Sequence, residues 1–123
     1  ISGLSTLSIL WMGQMIDLEA DKATGKLGMV SRIGTQASVA PYIFIQLLLV
    51  ANVLAIPFVV PEAGFFFLIA LLPYLLTLPG IIKTVSRHHS EPDKLKPGAK
   101  MNVMLHLQFS LLLPLGLGIA LLL

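Results

Sequence analysis

The sequence predicts an all-α integral membrane protein, a helical bundle with one partial and three full transmembrane helices. Three observations carry that prediction. Hydrophobic residues make up 56% of the chain and charged residues only 11%, less than half the roughly 25% charge of a soluble domain. Nearly all the charges fall in two stretches, residues 17–38 and 83–100, separated by long uncharged runs. All eight Lys and Arg lie in those stretches, three in the first and five in the second. With no cysteine in the chain, disulfides and thiolate chemistry are excluded. The net charge of +2 requires no nucleic-acid partner, because the ordinary positive-inside bias of membrane proteins accounts for it.

Residues 1–16 carry no charge and would rise about 24 Å, short of a hydrocarbon core of roughly 30 Å. They read as the end of a spanning helix, continuing in polar form to about residue 23. Ile1 lies inside an apolar run with no basic segment before it, unlike a signal peptide. The expectation is the C-terminal portion of a longer single domain, completed by an upstream half. Trp11 suits either an interfacial belt or packing on a neighbouring helix. Thr24-Gly25 stops the helix end. Ser38 and Pro41 are predicted as the cap and first-turn proline of a span at about 39–60. Gln46 and Asn52 are its interior polar residues, and Pro57 loosens its last turn.

Pro61-Glu62-Ala63-Gly64 reads as a tight turn on the far side. A span at about 65–82 returns, interrupted by Pro73 and Pro79-Gly80, which membrane helices tolerate when neighbours satisfy the freed carbonyls. Pro92, Pro97 and Gly98 are predicted to keep residues 83–100 from forming a long helix, and the last span covers about 101–123. His88-His89 reads as loop and His106 as a hydrogen-bonded packing residue. Both polar stretches then share one side, which the positive-inside rule makes the cytoplasmic face of the inner membrane.

The chemistry concentrates in residues 17–34, Asp-Leu-Glu-Ala-Asp-Lys-Ala-Thr-Gly-Lys-Leu-Gly-Met-Val-Ser-Arg-Ile-Gly. Asp17 and Asp21 stand four residues apart, one turn and one face if the helix continues through them. Paired carboxylates with a substrate phosphate suit a hard cation such as Mg²⁺. Glu19 points about 200° away from Asp17 and is expected to meet solvent or Lys22. Lys26 and Arg32 carry charge that neutralises phosphate oxygens, and Gly25, Gly28 and Gly34 let backbone approach a ligand. Metal-holding acids followed by phosphate-holding bases predict a diphosphate site at the mouth of a membrane segment.

This stretch resembles the second aspartate-rich motif of the UbiA superfamily of intramembrane prenyltransferases, on Asp17, Glu19, Asp21, Gly25, Lys26, Arg32 and Gly34. Met104 to Leu113, Met-Leu-His-Leu-Gln-Phe-Ser-Leu-Leu-Leu, resembles the last helix of its 1,4-dihydroxy-2-naphthoate polyprenyltransferases. The resemblance implies a nine-helix fold of which residues 1–123 are the C-terminal part, and a Mg²⁺-dependent transferase of menaquinone biosynthesis. Its substrates would be a polyprenyl diphosphate and an aromatic acceptor. Asp17 and Asp21 would be the catalytic metal ligands, with Lys26 and Arg32 binding the diphosphate and Gln46, Asn52 and Tyr74 on the acceptor side. The family's first aspartate-rich motif is absent from these residues. Gly28 replaces a usual Thr, and Gly13-Gln14-Met15-Ile16 stands where an Asn usually precedes the first Asp. A second class of function is a non-catalytic UbiA-like membrane subunit that binds quinone, pigment or lipid in a larger complex.

Overall fold

In a computed structural model of the chain, which describes residues 1–63, 65 and 68–122, every regular element among the described residues is helical. Gly64, Phe66, Phe67 and Leu123, which the sequence assigns to the far turn and to span ends, lie outside them. Helix α1 (Ser2–Ile16) is followed by two short helices, α2 (Leu18–Ala23) and α3 (Met29–Ile33). Long helix α4 (Thr35–Leu54) leads to a short α5 (Ile56–Val59) and a 3₁₀ turn at Pro61–Ala63. Two long helices close the chain, α6 (Leu68–His88) and α7 (Pro92–Leu122). Helices α4, α6 and α7 are each long and apolar enough to cross a membrane.

Burial follows helical spacing. The inward stripe of α6 is Leu71, Tyr74, Leu78, Ile81 and Val85, and that of α4 is Tyr42, Ile45, Leu49 and Val53. Leu105 and Phe109 of α7 complete the core, with the Phe109 ring 5.0 Å from that of Tyr74. Outward positions such as Phe44, Leu47, Leu72 and Leu76 are apolar and exposed, as a lipid-facing surface requires. Helix α1 packs on α4 and α7, while α6 packs on α7 and α4. The buried stripe of α1 is Ser5, Ser8, Met12 and Met15. Both serine hydroxyls donate to carbonyls three residues back, at 2.9 and 2.8 Å, so small, satisfied side chains let α1 approach its neighbours closely. Ser5 Oγ also bonds His106 Nδ1 at 2.7 Å, tying α1 to α7. Trp11 packs against α4, its Nε1 donating to the Ser38 carbonyl at 3.0 Å.

Four sequence expectations change, each because of where a proline or cap sits in its helix. Helix α4 begins at Thr35, with Gly34 at its N-cap at φ 83°. Ser38 is therefore no cap. It lies one turn inside and donates back to the Gly34 carbonyl at 2.6 Å. Pro41 falls in the second turn, where its missing N–H leaves only the Ala37 carbonyl unmatched. The span expected at 39–60 breaks at Ala55, because Pro57 has no N–H for the Val53 carbonyl and opens α5 instead.

Residues 83–100 are not a loop. Helix α6 runs on to His88 through Pro73 and Pro79, and α7 starts at Pro92, leaving only residues 89–91 between them. Pro92 occupies the first helical position, where no N–H is needed. Pro97 frees just the Asp93 carbonyl, at the polar end of the bundle. Glu91–Lys94 and Asp93–Lys96 pairs at 2.6 and 2.7 Å bridge successive turns of the α7 start. Gly98 is buried against Met12 and Thr84, where a Cβ would meet both at 3.7 Å, so the backbone of α7 can lie close to α1 and α6. The short link is itself fastened: Thr35 Oγ1 bonds Ser90 Oγ at 2.8 Å, and Ser90 Oγ bonds His89 Nδ1 at 2.8 Å. Both polar stretches thus meet at one end of the bundle.

Candidate functional site

Asp17 closes α1 and opens α2, with φ −91° and ψ 9°. The helical path bends there without being lost, since Asp17 N donates to the Gly13 carbonyl at 2.9 Å and Asp21 N to the Asp17 carbonyl at 2.8 Å. One turn therefore separates the two carboxylates, as the spacing predicts. Beyond them Thr24-Gly25 ends α2, with Gly25 at φ 72°. Gly25 N donates to the Lys22 carbonyl at 3.1 Å and Lys26 N to the Asp21 carbonyl at 2.8 Å. That pair of bonds is a Schellman motif, whose geometry brings the second residue past the cap against the third-last residue of the helix. Those two positions are Lys26 and Asp21. Where an apolar contact usually sits, Lys26 Nζ stands 3.3 Å from Asp21 Oδ1. The turn itself thus delivers the cation to the carboxylate.

Asp17, Asp21 and Lys26 line one pocket of about 410 Å³, walled by Ile9, Leu10, Gly13, Gln14 and Gly28. The Asp21 side chain is 13% exposed and that of Lys26 74%, so the acid is sheltered while the base spans pocket and solvent. Glu19 faces away, 85% exposed, and pairs with Lys22 at 3.6 Å. Arg32, exposed on the last turn of α3, is not brought into the pocket.

Gln14 is the residue that sequence reasoning passed over. Its Oε1 accepts from Val30 N at 3.3 Å, which caps the start of α3. A Cβ on Gly28 would collide with that same Oε1. Gly28 has φ −73°, so contact with Gln14, not backbone conformation, is what asks for glycine there. The signal was present in the spacing: Gln14, Asp17 and Asp21 fall at i, i+3 and i+7, one face of a helix.

Two carboxylates lining one pocket, Asp21 sheltered and Asp17 exposed, fit a divalent cation of the Mg²⁺ type, which takes one or two protein carboxylates and completes its shell from phosphate and water. The ion pair with Lys26 shows that Asp21 already engages a cation from the pocket side. Among the described residues no group of three or more acidic, His or Cys side chains converges on a metal position, so further oxygens would have to come from a ligand or another segment.

Deeper in the bundle, Gln46 and Tyr74 are brought together and Asn52 is not. The Tyr74 hydroxyl donates to Gln46 Oε1, and Gln46 Nε2 donates to Asn102 Oδ1 at 3.3 Å. Asn52 is exposed and bonds the Leu48 carbonyl of its own helix at 2.8 Å. The Tyr42 hydroxyl and Asn102 Nδ2 are buried without a partner among the described residues. His88 Nδ1 bonds Glu91 Oε1 at 2.7 Å. Lys94 and, after it, His88 hold the Glu91 carboxyl below its ordinary range.

No family model, no curated protein and no solved structure matches the chain. What is established, among the described residues, is a helical protein with three helices fit to cross a membrane and an acid–base pocket at its polar end.

Proposed function

We propose that the chain is the C-terminal part of a UbiA-like intramembrane enzyme that transfers a polyprenyl group from its diphosphate to an aromatic acceptor. The 1,4-dihydroxy-2-naphthoate of menaquinone biosynthesis is the leading acceptor. The observation that carries this reading is the convergence of Asp17, Asp21 and Lys26 on one pocket beside Gly28. Asp17 and Asp21 would hold Mg²⁺, which when bound supplies positive charge to the departing diphosphate. Lys26 neutralises phosphate oxygen as charge builds on the leaving group. Arg32, exposed and outside the pocket, would meet phosphate only where a ligand extends beyond it. In the reaction the allylic C–O bond breaks with its electron pair leaving on diphosphate. The prenyl carbon then bonds a ring carbon of the acceptor, which loses its proton. An upstream half of the protein would contribute the second group of acids, and the pocket would open to the cytoplasm, the side on which the positive-inside rule places the cations.

The test uses the full-length protein in nanodiscs, a radiolabelled polyprenyl diphosphate and a panel of aromatic acceptors. Transfer should need Mg²⁺, disappear with a chelator, and fall about 100-fold or more in Asp17→Asn and Asp21→Asn. Absence of transfer to every acceptor retires the enzyme in favour of a non-catalytic membrane subunit.

A further inference from the structure

A second site lies on the outer face of the bundle, where α6 and α7 leave a groove of about 340 Å³. Its α6 wall includes Thr77, Gly80 and Thr84, and its α7 wall Gly98 and Met101. The threonines present methyls to the groove, because their hydroxyls are spent on their own helix. Thr77 Oγ1 donates to the Pro73 carbonyl at 2.9 Å and Thr84 Oγ1 to that of Gly80 at 3.0 Å. The groove is therefore apolar, and from the polar end of the bundle it descends along two helices fit to cross a membrane.

Three cations adjoin its lining residues in helical register. Arg87 continues the Gly80–Thr84 stripe of α6 at i+7, Lys83 lies one turn before Arg87, and Lys100 adjoins Met101 on α7. All three are exposed and form no ion pair among the described residues. The acids of the α6–α7 link are engaged elsewhere: Glu91 with Lys94 and His88, and Asp93 with Lys96. The positive-inside bias explains why cations collect at one end, but not why three stay unneutralised around an apolar groove. Basic clusters between membrane helices match the headgroups of anionic lipids.

We propose that the α6–α7 groove binds one anionic phospholipid, its phosphate held by Lys83, Arg87 and Lys100 and an acyl chain lying along Gly80. This site is separate from the Asp17–Asp21 pocket and stands or falls without it. Native mass spectrometry of the intact protein, with phosphatidylglycerol or phosphatidylcholine of identical chains, tests it. The wild type should retain one phosphatidylglycerol in preference to phosphatidylcholine. The triple variant Lys83→Gln/Arg87→Gln/Lys100→Gln should lose that preference by roughly a hundredfold, each cation being worth about fivefold. Gly80→Leu supplies the second arm. A Cβ there meets nothing within 4 Å, so a side chain can leave the helix at this position into the groove, and it should displace the bound lipid with all three cations intact; unfolding of Gly80→Leu alongside the wild type checks that the fold is kept. Equal retention of the two lipids by the wild type overturns the proposal. So does a phosphatidylglycerol complex that survives Gly80→Leu, which would place phosphate on the cations with no chain in the groove.

Discussion

Replacing Gly28 with threonine should destabilise the protein, and removing Gln14 as well should rescue it. Gly28 has an extended backbone, φ −73° and ψ 177°, so threonine adopts it without strain. The penalty is local contact: the new Cβ would overlap Gln14 Oε1 and come within 3.0 Å of Gln14 Cδ. Gln14 must swing away, giving up its bond to Val30 N, a loss of about 1 kcal/mol. Displacing its partly buried amide adds to this, for a total of about 1–2 kcal/mol. Gln14→Ala alone loses only the cap, about 1 kcal/mol. In the double variant the introduced threonine sits at the N-cap of α3 with an open space before it, and its hydroxyl can take over the cap. Stability should return to within about 0.5 kcal/mol of wild type, a coupling well beyond the error of such cycles. Because Val30 is fully buried in the core, loss of the cap should be felt globally. Equilibrium unfolding in mixed micelles measures it, with amide exchange at Val30 as the local probe. Strict additivity of the two substitutions, or a neutral Gly28→Thr in the presence of Gln14, would refute the reasoning.

Three further outcomes are expected. Lys26→Gln should change stability by less than about 1 kcal/mol, since the Lys26 side chain is 74% exposed and its charge is screened by solvent; in the transfer assay it should raise KM for the prenyl diphosphate and lower kcat. Gln46→Leu should destabilise by about 1–3 kcal/mol, because Tyr74 and Asn102 lose their shared partner inside the bundle, whereas Asn52→Leu at an exposed position should be nearly silent in the same unfolding assay. The Glu91 carboxyl is held below its ordinary value by Lys94 first and His88 second, so its contribution to the α6–α7 link is complete above the unfolded carboxylate range and is lost as pH falls through the lowered value. Protection of the amides at residues 89–91, relative to their intrinsic exchange rates, should therefore fall in that acid window, and Glu91→Gln should reduce that pH dependence.

The helical class, the membrane character and the gathering of charge at one end were legible because composition and period are local properties. So was the Thr24-Gly25 stop, although the approach of Lys26 to Asp21 that this turn produces was not read from it. Prolines misled wherever residue type was weighed without position. Pro97 and Pro41 each free a single carbonyl and leave their helices whole, while Pro57, near the end of α4, breaks it because little helix remains beyond. Ser38 looked like a cap until Gly34, with its positive φ, took that place one turn earlier. The partnership of Gln46 with Asn102 joins residues 56 apart in sequence, and that of Ser5 with His106 depends on how α7 lies against α1. Such pairs are set by packing, and no spacing rule reaches them.

Only residues 89–91 join α6 to α7, and they are pinned by their own hydroxyl and imidazole bonds. Closing so short a loop sacrifices little chain entropy. The two longest helices can therefore zip together from this corner as soon as both have formed, before any partner further back in the chain is found. The hairpin would then serve as the template on which α4 and α1 dock. An insertion of several flexible residues at Ser90 should slow refolding far more than the same insertion between α2 and α3.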